Sequence, residues 1–156
     1  RQLVQESCKK HNIQCQCIRC REPMNHEINW DYVKLIKRSY EASHGQEDFI
    51  SYEDTKNNLI LGFCRLRIPS QILRNEITSS TALIRELHVY GPAANPGNSG
   101  IVQHKGLGKA LMYEAEKLAK EKYSKNKMVV IAGVGVREYY KKLGYSPEGP
   151  YISKKI

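Results

Sequence analysis

Gln103-His104-Lys105-Gly106-Leu107-Gly108 is the stretch on which the reading of this chain turns. It follows a segment of strand character and a Gly-, Pro- and Asn-rich loop, 91–100, and it opens a helix whose apolar stripe is Leu107, Leu111, Ala115, Leu118 and Ala119. Two glycines let the backbone approach an anion closely, and the free N–H groups of a first helical turn supply donors aided by the helix dipole. The turn therefore predicts phosphate binding. A nucleoside triphosphate loop needs G-x-x-x-x-G-K-[ST], yet Lys109 is followed by Ala110 and position 103 is Gln; a dinucleotide fingerprint needs a third glycine, and position 111 is Leu.

Outward from this turn the pattern is that of a mixed sheet. Residues 1–12 have helical character. Asn29 reads as the N-cap of a helix running to about Ala42, with Val33, Ile36 and Tyr40 at helical spacing and Gly45 as the stop. Asp48 to Glu53 and Leu59 to Ile68 read as two strands of a hairpin joined by Asp-Thr-Lys-Asn-Asn, and Ala82 to Tyr90 as a third strand. After the central helix, Met128 to Ala132 is a short buried strand. Gly133-Val134-Gly135 breaks into a helix over Val136 to Leu143, ended by Gly144. A Pro-Glu-Gly-Pro turn and a final strand close the chain. Antiparallel strands followed by strand, helix, strand, helix, strand describe an α/β fold of the α+β type. Residues 1–27 read as a linker-like leader and 28–156 as the compact domain.

At 156 residues and 17.9 kDa the chain is long enough for one domain with a real core. With 40% hydrophobic and 26% charged residues it is neither a disordered nor a membrane composition. The longest apolar run, Met128 to Val136, is too short to cross a bilayer. A start of Arg-Gln-Leu without Met, and without a secretory apolar region, predicts a cytoplasmic piece of a longer protein. The net charge of +9 is concentrated late: residues 101–156 hold 12 Lys/Arg against 5 Asp/Glu, which favours polyanions such as cofactor phosphates or a nucleic-acid backbone. Lys117, Lys120 and Lys125 also fit a solvated helix face. Five cysteines argue against a disulfide framework, but Cys15, Cys17 and Cys20, with His11 before and His26 after, have the donor types of a zinc site; reduced structural cysteines are the alternative.

The turn matches the pyrophosphate signature [QR]-x-x-G-x-[GA] of the GNAT acetyltransferase superfamily, which the sequence resembles. Further stretches, Ile84 to Gly91, Gly133 to Tyr145, Gly149-Pro150-Tyr151, Cys17-Ile18-Arg19-Cys20-Arg21-Glu22 and Phe49 to Asp54, look like the C-terminal domain of the Elongator catalytic-subunit family. Pro23 departs from that family's pattern. The resemblance implies the GNAT acyl-CoA N-acyltransferase fold, a mixed, mostly antiparallel sheet flanked by helices. It implies acetyl-CoA as bound substrate, tRNA as partner, other Elongator subunits as further partners, and modification of tRNA wobble uridine. A radical S-adenosylmethionine domain of the full-length protein would carry the iron–sulfur cluster, for which the cysteine spacing here is wrong.

The family's pantetheine contacts fall on Glu86, Leu87, His88 and Val89. Its pyrophosphate contacts fall on Leu107, Gly108 and Lys109, with the signature residues Gln103 and Gly106 as further cofactor-binding candidates, and a tyrosine contact on Tyr140. A backbone N–H near Leu87 or Val89 would polarise the thioester carbonyl. Tyr139 or Tyr140 would hydrogen-bond or protonate the departing thiolate, although Val136, Tyr139, Tyr140 and Leu143 equally make a core stripe. Glu86 is a candidate general base, with a salt bridge to Arg85 or Arg137 as its plain structural role. The resemblance also adds weight to zinc at Cys15, Cys17 and Cys20. A free-standing lysine or amine N-acetyltransferase and a non-catalytic acyl-CoA- or RNA-binding module are the competing functions.

Overall fold

The computed structural model describes residues 2–24, 26–90 and 106–156. Four strands in sequence form an antiparallel meander: β1 (Val33–Ala42), β2 (Gly45–Asp54), β3 (Leu59–Ile68) and β4 (Thr81–Val89). Helix α2 (Leu107–Glu121) then crosses to β5 (Lys127–Val130), and a short 3-10 turn leads into α3 (Arg137–Lys141). The hairpin β6 (Ser146–Glu148) and β7 (Tyr151–Lys155) completes a seven-stranded sheet of order β1-β2-β3-β4-β5-β7-β6. A separate helix, α1 (Gln2–Lys10), begins the chain and buries none of its residues.

The helix expected over Asn29 to Ala42 is instead a 3-10 turn, Trp30–Tyr32, followed by strand β1. The apolar spacing that suggested a helix does not run along one buried face: Val33 packs beside Leu61 and Leu107, but Tyr40 is 40% exposed and donates its hydroxyl to Glu47. Two features favour the strand. Ser43 and His44 both take positive φ, 46 and 57, the geometry of a tight two-residue hairpin turn. Across the ladder, polar residues of β1 find partners on β2, with Arg38 on Glu53 and Ser39 on Asp48. The other element expectations fall close to what is observed. Asp54 closes the β2–β3 turn by accepting from the Lys56 and Asn57 N–H groups at 3.0 and 3.1 Å. The helix before Gly144 is shorter than expected, and Gly144 itself takes φ 88. Val136 is half exposed, so it leaves the predicted stripe, whereas Tyr140 and Leu143 keep their places in it.

The main core lies between one sheet face and α2. Leu111, Met112, Ala115 and Ala119 of the helix pack on Ile50, Leu66, Ile84 and Met128 of the sheet, all essentially inaccessible. Leu118 is only partly buried at the rim. The leader is bound to the rest: Arg21 is buried and ion-paired with Glu53, its carbonyl accepts from the Ile60 N–H at 2.7 Å, and Ile18 packs on Ile60, Phe63 and Tyr90. Among the described residues, no helix is long and apolar enough to cross a membrane.

Candidate acetyl-CoA site

The parallel pair of strands found among the described residues creates the candidate site. β4 and β5 pair over only four positions, Thr81 with Lys127 to Ile84 with Val130, and a last bond runs from the Ile131 N–H to the Ile84 carbonyl at 3.2 Å. β4 continues to Val89 beside β3 alone, so past Ile84 its other edge faces no strand among the described residues. A bulge leaves Arg85 as the extra residue, since Arg65 pairs with Glu86 while Leu66 pairs with Ile84. The bulge resets the alternation. The Tyr90 N–H donates to Leu61 of β3 at 2.9 Å, so the backbone groups of Val89 and Leu87 point the other way, into the gap. Side chains follow the same shift: Ala82, Ile84, Leu87 and Val89 turn toward the core under α2, and Glu86 and His88 toward the opposite face.

Helix α2 begins at the mouth of this gap. Gly106 precedes it with φ 71, a left-handed conformation suited to glycine. A Cβ on Gly108 would stand 2.7 Å from the Tyr139 hydroxyl and 3.6 Å from Val89 Cγ2, so the helix start, the open strand and α3 converge at this glycine. Leu107 is buried against Leu61, and Lys109 is exposed on the first turn. Gln103 lies outside the described residues.

The two tyrosines have different surroundings. Tyr139 is 38% exposed with its hydroxyl beside Gly108, whereas Tyr140 is 6% exposed and its ring packs edge-on against Tyr139 and Tyr145, at 5.2 and 6.0 Å. Burial pushes Tyr140 up to about 12, with the Cys64 group adding to the effect; burial likewise raises Tyr139. Both therefore hold their protons at neutral pH, as hydrogen-bond donors must.

Glu86 pairs with Arg65, Nε to Oε2 at 3.3 Å, and neither of the arginines suggested by the sequence takes that place: Arg85 binds Glu47, and Arg137 donates to the Pro150 carbonyl at 3.0 Å. His88 is exposed and stacks on Phe63, with ring centroids 5.8 Å apart. Arg65 and Phe63 are site neighbours that no sequence motif points to. Their signal was the alternation Phe63, Arg65, Arg67, which places all three on the face away from α2. Lys125, read as a solvated helix residue, anchors the Ser79 carbonyl at 2.7 Å, while Lys117 and Lys120 are exposed as expected.

A family model described as an acetyltransferase (GNAT) domain matches residues 99–155. The tRNA uridine(34) acetyltransferase of Methanocaldococcus jannaschii is 45% identical across 99% of this chain and 30% of its own length. Elongator complex protein 3 of Saccharomyces cerevisiae is 44% identical across 100% of this chain and 30% of its own length. The solved structure of Methanocaldococcus infernus Elp3 with an N-terminal deletion superposes with a TM-score of 0.89, at 42% identity, over 99% of this chain and 38% of that one. The chain holds a GNAT acetyltransferase domain and is similar over its whole length to the Elongator protein 3 family. It spans under a third of the length of the curated relatives it matches. A spermidine/spermine N-acetyltransferase of Vibrio cholerae, 13% identical with a TM-score of 0.50, shares the fold alone.

The domain's second cluster lies in the leader. The Sγ atoms of Cys15, Cys17 and Cys20 all lie within 4.8 Å of one another. Three thiolates at the corners of a zinc tetrahedron stand about 3.8 Å apart, so the spread suits one ion. The Cys20 backbone N–H, with the Cys15 and Cys20 thiols, pulls the Cys17 thiol down to about 7, whereas the Cys17 thiol pushes Cys20 up to about 11. His11 and His26 do not join the cluster; the His11 ring bonds the Ser7 carbonyl at 2.8 Å.

Proposed function

We propose that this domain binds acetyl-CoA and delivers its acetyl group for modification of a tRNA wobble uridine, the radical chemistry being supplied by a domain outside this chain. The observation that carries the reading is the open edge of β4 meeting the start of α2 at Gly108. The pantetheine arm would complete the ladder there as an absent strand does, bonding Leu87 and Val89. The pyrophosphate would sit on the N–H groups of Leu107, Gly108 and Lys109 after Gly106, with Gln103 at the turn.

In that pose a Leu87 or Val89 N–H donates to the thioester carbonyl oxygen as negative charge develops on it. The acceptor's oxygen or nitrogen, or a hydrolytic water, bonds to the carbonyl carbon and gives its proton to Glu86. The C–S bond then breaks, and the thiolate takes a proton from a tyrosine hydroxyl. Tyr139 is the tyrosine nearer the helix start, with Tyr140 behind it. His88 lines the acceptor side. Cys15, Cys17 and Cys20 would hold zinc as a clip on the leader, which sets off segment 1–27 from the catalytic unit 28–156. A cytoplasmic setting and contacts with other Elongator subunits belong to the same reading.

The test is thiol release from acetyl-CoA by this chain, with and without tRNA. Release that depends on tRNA supports the proposal. Release that depends on a small amine or a Lys peptide would replace it with an N-acetyltransferase, and binding without turnover with an acyl-CoA sensor.

A further inference from the structure

The face of β1 to β4 turned away from α2 carries a pattern that the proposed acetyl-CoA site touches only at Glu86 and His88. The cross-strand pairs Arg38 with Phe49, Phe49 with Arg65, and Phe63 with His88 set a row of rings and guanidinium groups side by side. Phe49 stacks on Phe63 at 4.9 Å, and the Arg65 guanidinium lies 5.9 Å from each of those two rings. His88 meets Tyr90 edge-on at 4.5 Å and is itself exposed.

The charges of this face are layered. Glu47 and Glu53 are buried, each 2% exposed, while Arg85 and Arg38, which pair with them, have side chains 46% and 48% exposed. Negative charge lies beneath and positive charge outside. Each buried carboxylate also has a deeper arginine, Arg67 on Glu47 and Arg21 on Glu53, so the outer two are not required as its only counter-ion.

We infer that this face is a contact surface for single-stranded RNA, with the exposed His88 and the partly buried Phe49 stacking bases over the buried Phe63 and Tyr90, and Arg38, Arg65 and Arg85 meeting phosphates. An antiparallel sheet face that offers an exposed ring, backed by buried ones and flanked by planar cations, is a physical means of reading unpaired bases, because every base has a face to stack. From β1 to β4 the row spans three strand spacings, about 14 Å. The surface is continuous with the proposed active site through β4, since His88 and Glu86 belong to both. A base stacked on His88 would therefore lie beside the acetyl donor. The inference rests on the tRNA reading above and adds the surface that would hold the substrate.

The test uses the full chain and a fluorescein-labelled RNA stem-loop with a uridine in its loop, followed by anisotropy across a salt series. Acetyl-CoA binding is measured in parallel by calorimetry. Arg38→Ala/Arg85→Ala is expected to weaken RNA binding roughly ten-fold, to make the salt dependence shallower by about 1 to 2 in logarithmic slope, and to leave acetyl-CoA binding unchanged. His88→Ala is expected to weaken RNA binding roughly ten-fold with the salt slope intact, the mark of lost stacking. RNA affinity untouched by these changes overturns the inference and leaves the face to a protein partner. An equal loss in a Lys117→Ala/Lys120→Ala control, on the exposed side of α2, also overturns it, because attraction would then be unlocalised. Failure of the unaltered chain to bind acetyl-CoA strikes instead at the proposed function.

Discussion

Replacing Arg21 with Ala tests how the leader is held. The Arg21 side chain is buried, pairs with Glu53 and donates from Nε to the Asn58 carbonyl at 3.3 Å. Burial alone would raise Glu53, but hydrogen bonds from Arg38, Ser51 and Arg21 outweigh it and hold this carboxylate down to about 2. Measured from the ordinary 4.5, that shift corresponds to about 3 kcal/mol. Loss of one partner from a buried pair costs about 3 to 5 kcal/mol when the remaining charge is left alone. Here Ser51, at 2.6 Å, and the half-exposed Arg38 remain, so the expected loss is about 2 to 3 kcal/mol, or about 4 to 12 °C in Tm. Because the folded value is depressed, the Glu53 contribution is fully present above about pH 4.5 and fades as pH falls toward about 2. Urea unfolding followed by circular dichroism near pH 7 and near pH 3 should therefore show a gap between wild type and variant that narrows in acid. Limited proteolysis should release residues 1–24 from the variant first. A gap below about 0.5 kcal/mol near pH 7, or one unchanged near pH 3, would refute the assignment of the leader's attachment to this pair.

Gly108→Glu should abolish acetyl-CoA binding by calorimetry while far-ultraviolet dichroism stays native, since the new side chain enters the convergence of Val89, Tyr139 and the helix start with a negative charge. Gly108→Ala should cost little stability, within about 1 kcal/mol, because the atom it meets is the far end of the half-exposed Tyr139 ring and Ala favours a helix; a large drop in Tm would show that ring to be fixed. Tyr139→Phe should lower the rate of thiol release by roughly 10- to 1,000-fold at unchanged Tm if its hydroxyl serves the departing thiolate; an effect confined to Tyr140→Phe would assign the role to the buried partner. One equivalent of zinc should bind the reduced chain, read by metal analysis after dialysis, and Cys17→Ser should abolish its retention; retention by the variant would rule out the cysteine cluster.

The parts of this fold legible in the sequence are those fixed by local chemistry. Asp54 and the Asn residues after it specify a turn by themselves, and Leu111, Ala115 and Ala119 keep helical period because one face of α2 is buried. β1 does not declare itself as a strand because its side chains are decided by β2: Ser39 and Tyr40 stand opposite Asp48 and Glu47, and Arg38, opposite Phe49, reaches along the ladder to Glu53. The family resemblance identified the strand 86–89, but the reason its backbone is available lies in the bulge at Arg85 and the early end of β5, neither of which leaves a mark in residue type. Helical spacing does not separate Tyr139 from Tyr140 and the resemblance favours Tyr140; that Tyr139 is the one beside Gly108 emerges only when α3 is set against the start of α2. Arg65 as partner to Glu86 depends likewise on strand register.

The four-position ladder between β4 and β5 also bears on how the molecule assembles. The meander β1 to β4 is built from neighbours in sequence, whereas β5 must find β4 across the whole of α2, a distant and therefore slow closure. The gap at Leu87 and Val89 exists only after that closure. A ligand seated there would bind only the closed arrangement, so acetyl-CoA should protect the β5 to β7 half from opening more than it protects the meander.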